Sequence, residues 1–99
     1  MQELRVEIDA LDTELVTLLA RRAGYIDRAI TLKQRENLPA RTKDRVAEVL
    51  DNVRALAASR DLDPELAADL WHQLIEWSIA REEVVLGDAE TPRGAEVRP

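Results

Sequence analysis

An arginine set into an apolar seam is where chemistry can enter this chain. From Leu4, apolar residues recur at intervals of four and three through Ile8, Leu11, Leu15 and Leu18, and the same register resumes at Tyr25, Ala29 and Leu32 with Arg22 between the two runs. That spacing is one face of an amphipathic helix, so a guanidinium stands where a buried aliphatic side chain belongs. A cation in such a place needs an anion. Lys33 follows eleven residues after Arg22. Eleven steps of roughly 100° return to within about 20° of the same face, roughly 16 Å farther along the axis, so two cations look along one wall of a single groove.

A second stripe carries polar groups of its own. Trp71, Ile75, Ser78, Glu82 and Val85 share a helical face at the same spacing, which puts a hydroxyl and a carboxyl where burial is expected and where polar groups need partners. Arg5 and Arg45 flank the stripes of the first and second helices. Each of these residues also has an ordinary explanation. Arg22 can pair with Glu82 as a register-fixing ion pair, long cations can snorkel to solvent, and Glu82 can be a solvated member of Arg81-Glu82-Glu83. Arg5 and Arg45 taken alone are surface arginines, Ser78 is merely small, and the lone His72 reads as a satisfied or exposed histidine. The conjunction says more than any member, because an excess of cations at inward positions implies a multiply charged anion.

The elements that must position these groups are legible. No proline and only Gly24 interrupt the stretch from Gln2 to Asn37, so a single helix of some 50 Å is expected there. A compact domain of this length has a radius of gyration near 13 Å. Such a helix would leave its apolar stripe in water, so an obligate dimer with crossing or antiparallel long helices is expected. Pro39 closes the first helix and makes 37–42 a loop. Thr42 is a candidate N-cap for a second helix bearing Val46, Val49, Leu50, Val53, Leu56 and Ala57 on one face and ending near Ser59-Arg60. Asp63-Pro64-Glu65 marks the start of a third helix, with N-cap, first-position proline and dipole-facing acid in order. That helix is expected to run to about Leu86 and stop at Gly87. The domain is therefore 1–86, and 87–99, polar and poor in apolar residues, reads as a disordered tail.

Composition limits the rest. The 99 residues are 45% hydrophobic and include only Trp71, Trp77 and Tyr25 as aromatics, so one all-α domain with an aliphatic core is expected. A net charge of −6 argues against general nucleic-acid binding, which needs a basic surface. With no cysteine and one histidine, thiol catalysis, disulfides and thiolate or histidine metal sites are excluded. No apolar run is long enough to span a bilayer and no signal-peptide pattern opens the chain, so no membrane partner is expected and the cytoplasm is the expected compartment.

Residues 2–86 resemble the small all-helical chorismate mutases of the AroQ type and their relatives, the isochorismate-pyruvate lyases and 4-amino-4-deoxychorismate mutases. The resemblance rests on the run from Leu4 to Asp12, on Leu18-Leu19-Ala20-Arg21-Arg22, on Lys33 eleven residues after that arginine, on Arg45 after Pro39, and on Leu62-Asp63 leading into the last helix. It implies a three-helix protomer in an intertwined homodimer with two active sites, each completed by an arginine of the partner chain. By position that arginine is Arg5, while Arg22, Lys33, Arg45, Ser78 and Glu82 come from the other chain. Spacing agrees independently: Arg5 lies seventeen residues before Arg22, roughly 25 Å along the helix and about 100° around it, too far to share a small ligand within one chain.

The implied substrate is a chorismate-type dianion, and the implied reaction, chorismate to prephenate, is pericyclic and uses neither metal nor cofactor. Arg5 and Arg22 suit the two carboxylates, Lys33 and the residue at 82 suit the ether oxygen, and Arg45 helps position the ligand. Two departures stand out. Typical mutases carry a glutamate at the place of Val46, which accepts from the ring C4 hydroxyl, and a glutamine at the place of Glu82. Both changes shift weight toward a specialised relative, with chorismate mutase first, isochorismate-pyruvate lyase second and 4-amino-4-deoxychorismate mutase third. The expectation of another class is a non-catalytic helical dimer acting as an interaction or regulatory module, with its seam cations neutralised by its own acids.

Overall fold

The computed structural model describes residues 1–87 and contains, in this order, α1 (Gln2–Glu36), α2 (Lys43–Ser59) and α3 (Pro64–Leu86). No strand occurs among the described residues, so the expected all-α class is observed. The expected tail at 87–99 lies, beyond Gly87, outside the described residues.

Local chemistry sets each boundary. Asn37 takes a left-handed conformation (φ 56°) and its N–H turns back to the carbonyls of Lys33 and Gln34, a conformation asparagine tolerates better than most residues. Pro39 then bars continuation. Thr42 occupies the N-cap of α2 with extended backbone, but its hydroxyl makes no capping hydrogen bond. Asp63 does cap α3, its carboxylate accepting from the Glu65 N–H at 2.9 Å, with Pro64 in the first turn. Gly87 ends α3 at φ 90°, where a Cβ would be strained.

Helices α2 and α3 run antiparallel, and the C-terminal part of α1 lies across the C-terminal half of α3. Ala40, Ile75, Ile79 and Leu86 form the buried core, with Val46, Val49 and Leu50 packed on it. Two stripe assignments need correction. Leu56 is 53% exposed, and Ala57 is the residue of that turn that is buried, at 6%; the line facing α3 passes through 46, 49, 50, 53 and 57. Likewise Val85 is 42% exposed while Leu86 is buried, because the inward line on α3 steps by four from Ser78 through Glu82.

The N-terminal half of α1 packs on nothing in the protomer. Every residue from 2 to 20 is exposed, including Leu4, Ile8, Leu11, Leu15 and Leu18. The molecule measures 62 × 23 × 18 Å with a radius of gyration of 16.9 Å, against about 13 Å for a compact domain of this size.

Candidate active site

Where α1 crosses α3 a cavity of about 260 Å³ opens, near the lower end of small-molecule pockets, about 300–1,000 Å³. Arg22, Ile26, Ala29 and Lys33 line it from α1, Ala40 and Thr42 from the loop, Arg45, Val46 and Val49 from α2, and Ile75, Ser78, Ile79 and Glu82 from α3. The structure thus brings six of the residues singled out in the sequence to one cavity: Arg22, Lys33, Arg45, Val46, Ser78 and Glu82. Arg5 is not among them. It is exposed on the free half of α1.

The charges are arranged unevenly. The Lys33 ammonium donates to Glu82 Oε1 at 2.6 Å and to the Ala40 carbonyl at 2.8 Å. Glu82 is buried, at 4% exposure, and this ion pair supplies the partner its burial demands. The alternative pairing of Glu82 with Arg22 does not form. Arg22 has no carboxylate partner among the described residues. Partial burial, and then the nearby positive charge of Arg45, pull its basicity below the ordinary arginine value. Arg45 itself is paired with Glu48 on the outer side of α2. Ser78 is buried and donates to the Leu74 carbonyl at 2.9 Å, leaving its oxygen as an acceptor toward the cavity. The Arg22 guanidinium, without a carboxylate partner among the described residues and with Arg45 at the rim, adjoins a space lined by Ile26, Val46, Val49 and Ile79 beside an ammonium held by a carboxylate, an arrangement chemically suited to a compact anion.

A larger depression of about 620 Å³ lies between α1 and α3, lined by Asp27, Ile30, Trp77, Ala80, Arg81, Val84 and Val85. Its charged members are satisfied by each other, Arg81 donating to Asp27 at 2.6 and 3.1 Å. That contact raises Arg81 and lowers Asp27 from their ordinary values. Volume alone would choose this groove; unpaired charge chooses the smaller cavity. Among the described residues no cluster of histidine, aspartate and glutamate could hold a metal ion, and no helix is long and apolar enough to cross a membrane.

Sequence reasoning missed three residues around the cavity. Thr42 appeared only as a cap, yet it lines the wall with its hydroxyl free of the helix end. Arg41 fell within the expected loop 37–42 and Glu76 was not singled out, yet Arg41 forks onto both Glu76 oxygens at 2.8 and 2.6 Å. The Arg41 guanidinium, with His72 adding a smaller effect, holds the Glu76 carboxyl below the usual carboxylate range. The folded pKa being depressed, the contact is complete at neutral pH and is lost only as pH falls through that lowered value.

The fold and cavity define a small all-helical protein with a cavity between its helices lined by Arg22, Lys33 and Arg45. The chain belongs to the chorismate mutase type II family, whose model matches residues 4–83. It is 31% identical over 86 residues to the 4-amino-4-deoxychorismate mutase of Streptomyces venezuelae, covering 87% of this chain and 84% of that protein. It is 32% identical over 83 residues to the isochorismate pyruvate lyase of Pseudomonas aeruginosa, covering 83% and 80%. The T-protein of Haemophilus influenzae is 29% identical over 82 residues, which are 83% of this chain but only 22% of the T-protein. No solved structure matches the chain.

Proposed function

We propose that the protein is a chorismate mutase, rearranging chorismate or a close analogue to prephenate or its counterpart, as a cytoplasmic homodimer that needs no cofactor. The observation that carries this reading is the convergence of Arg22, Lys33 and buried Glu82 on one cavity of metabolite size. In the rearrangement the bond between the ring and the ether oxygen breaks as a carbon–carbon bond forms, with no atom gained or lost. The protein's task is to hold a compact chair-like conformer and to stabilise negative charge growing on the ether oxygen. Arg22 binds one carboxylate through its fork. Lys33 donates to the ether oxygen, and Glu82, when protonated, is the second donor. Arg45 and Ser78 position the ligand against the apolar wall that includes Val46.

The second carboxylate is bound by Arg5 of the partner subunit. Along its own helix Arg5 stands roughly 25 Å from Arg22, and the exposed seam from Leu4 to Leu18 supplies the surface on which a second copy packs. Burying each of these side chains fully contributes roughly 1.5–3 kcal/mol. Sedimentation at micromolar concentration is therefore expected to show a dimer whose unfolding midpoint rises with protein concentration. A folded monomer with a concentration-independent midpoint would remove both the dimer and the shared site.

Val46 favours a second reading for the ring substituent. Valine cannot accept from a C4 hydroxyl, so isochorismate, eliminated to salicylate and pyruvate, and 4-amino-4-deoxychorismate are the competing substrates. Identifying products from a panel of the three substrates tests the proposal: prephenate or its amino counterpart supports rearrangement, salicylate with pyruvate supports elimination, and no turnover of any of them refutes the enzyme reading in favour of an interaction module. Val46→Glu is expected to improve the specificity constant for chorismate relative to the analogues by about tenfold, the worth of one hydrogen bond to an ionised group. If chorismate already leads by orders of magnitude and Val46→Glu only impairs it, Val46 does not set the preference.

A further inference from the structure

The Lys33 ammonium is held at two points, and only one of them is a side chain. Its second acceptor is the carbonyl of Ala40, at 2.8 Å, in the loop that joins α1 to α2. A backbone carbonyl can aim an ammonium only if its own peptide is fixed. Ala40 is buried at 2% exposure, and the very next residue, Arg41, is tied to α3 by the two-pronged contact with Glu76. Neither Arg41 nor Glu76 lines the cavity. We propose that Arg41 and Glu76 are positioning residues for Lys33: their clasp fixes the loop against α3 so that the Ala40 carbonyl, together with Glu82, points the ammonium into the cavity. The catalytic consequence rests on the function proposed above; the structural part does not.

The geometry makes the clasp selective. Glu76 lies six residues before Glu82 on α3, about 9 Å along the axis, so one helix holds both the loop and the lysine's carboxylate partner. A fork fixes orientation as well as distance. With the clasp gone, the loop keeps Ala40 in the core but loses the restraint on the following peptide. The ammonium then retains Glu82 alone and samples positions away from the ether oxygen. Carboxylate binding by Arg22 does not pass through the loop, so the clasp acts on turnover more than on substrate affinity.

The chain contains two lysines, Lys33 and Lys43, which permits a test without any substrate. Ligand-free wild type, Arg41→Ala and Glu76→Gln dimers are treated with a small amine-acylating reagent, and modification is read by peptide mass spectrometry against the Met1 α-amine. Lys33 is expected to react about tenfold faster in both variants, the shift that follows the loss of a charge-assisted contact worth about 1.4 kcal/mol. On a substrate turned over by the wild type, kcat is expected to fall about tenfold or more with KM changed less than about threefold, since small misplacement of a reacting group is costly. The same substitutions are expected to add nothing in a Lys33→Ala background, whereas a merely structural loss adds in full. The reversed pair, Arg41→Glu with Glu76→Arg, is expected to recover part of the lost kcat. Unchanged Lys33 reactivity, or additive losses with Lys33→Ala, overturns the clasp. Faster Lys33 acylation in a protein that turns over none of the three substrates would retain the clasp and refute the proposed function.

Discussion

Arg22→Ala is expected to lower kcat/KM by about 10²–10³-fold, the cost of removing one preorganised donor from a site of this type. Arg5→Ala, although its side chain lies far from the cavity of its own protomer, is expected to cost about as much. The two losses should not behave alike when combined across chains. With the proposed shared site, a heterodimer of an Arg5→Ala chain and an Arg22→Ala chain would have one site lacking both arginines and one lacking neither. Mixing the inactive homodimers under conditions of subunit exchange is therefore expected to restore activity, at up to one good site per heterodimer. Verified exchange without recovery would place both arginines in the same site or in none. The exposed apolar residues of α1 make the experiment feasible, because the interface they imply involves no covalent link.

The second large effect concerns Glu82. In the ligand-free protein its carboxylate accepts from Lys33. With substrate bound, an ionised Glu82 would sit beside an oxygen that is itself becoming negative, while a protonated one donates to it. Glu82→Gln carries amide hydrogens permanently, so it is expected to exceed the wild type at neutral pH by about tenfold or more, since each 1.4 kcal/mol of transition-state stabilisation is a factor of ten. Glu82→Ala is expected to be poor, because it leaves Lys33 with the Ala40 carbonyl alone. Equal turnover by wild type and Glu82→Gln at neutral pH would return Glu82 to the role of a structural carboxylate.

Much of this arrangement was readable from local chemistry. The start of α3 follows from Asp63-Pro64, its end from Gly87 and the end of α1 from Asn37 and Pro39, since each rests on the conformational limits of one or two residues. The inward cations followed from periodicity alone. What could not be read is where one helix crosses another. Arg22 and Lys33 stand on the same wall, and which of them meets Glu82 depends on how α1 packs against α3, where Asp27 meets Arg81 and Lys33 meets Glu82. The same ignorance of packing explains Leu56 and Val85. A spacing of three or four leaves neighbouring positions about 100° apart on the helix surface, and only the facing element decides which is covered. The Arg41–Glu76 clasp was illegible for another reason: both residues are of types common on surfaces, and their pairing spans a loop and a helix thirty-five residues apart.

In the proposed reaction the cavity between Arg22, Lys33 and Glu82 receives a chorismate-type dianion on its way through a compact, bicyclic transition state. A rigid bicyclic dicarboxylate that mimics this geometry should bind far more tightly than substrate, as transition-state analogues do. Calorimetric titration of the wild type is expected to show one such molecule bound per protomer, with affinity reduced about a hundredfold or more in Arg22→Ala and in Lys33→Ala. Absence of binding, or binding that both substitutions leave unchanged, would rule out the cavity as the site of the reaction.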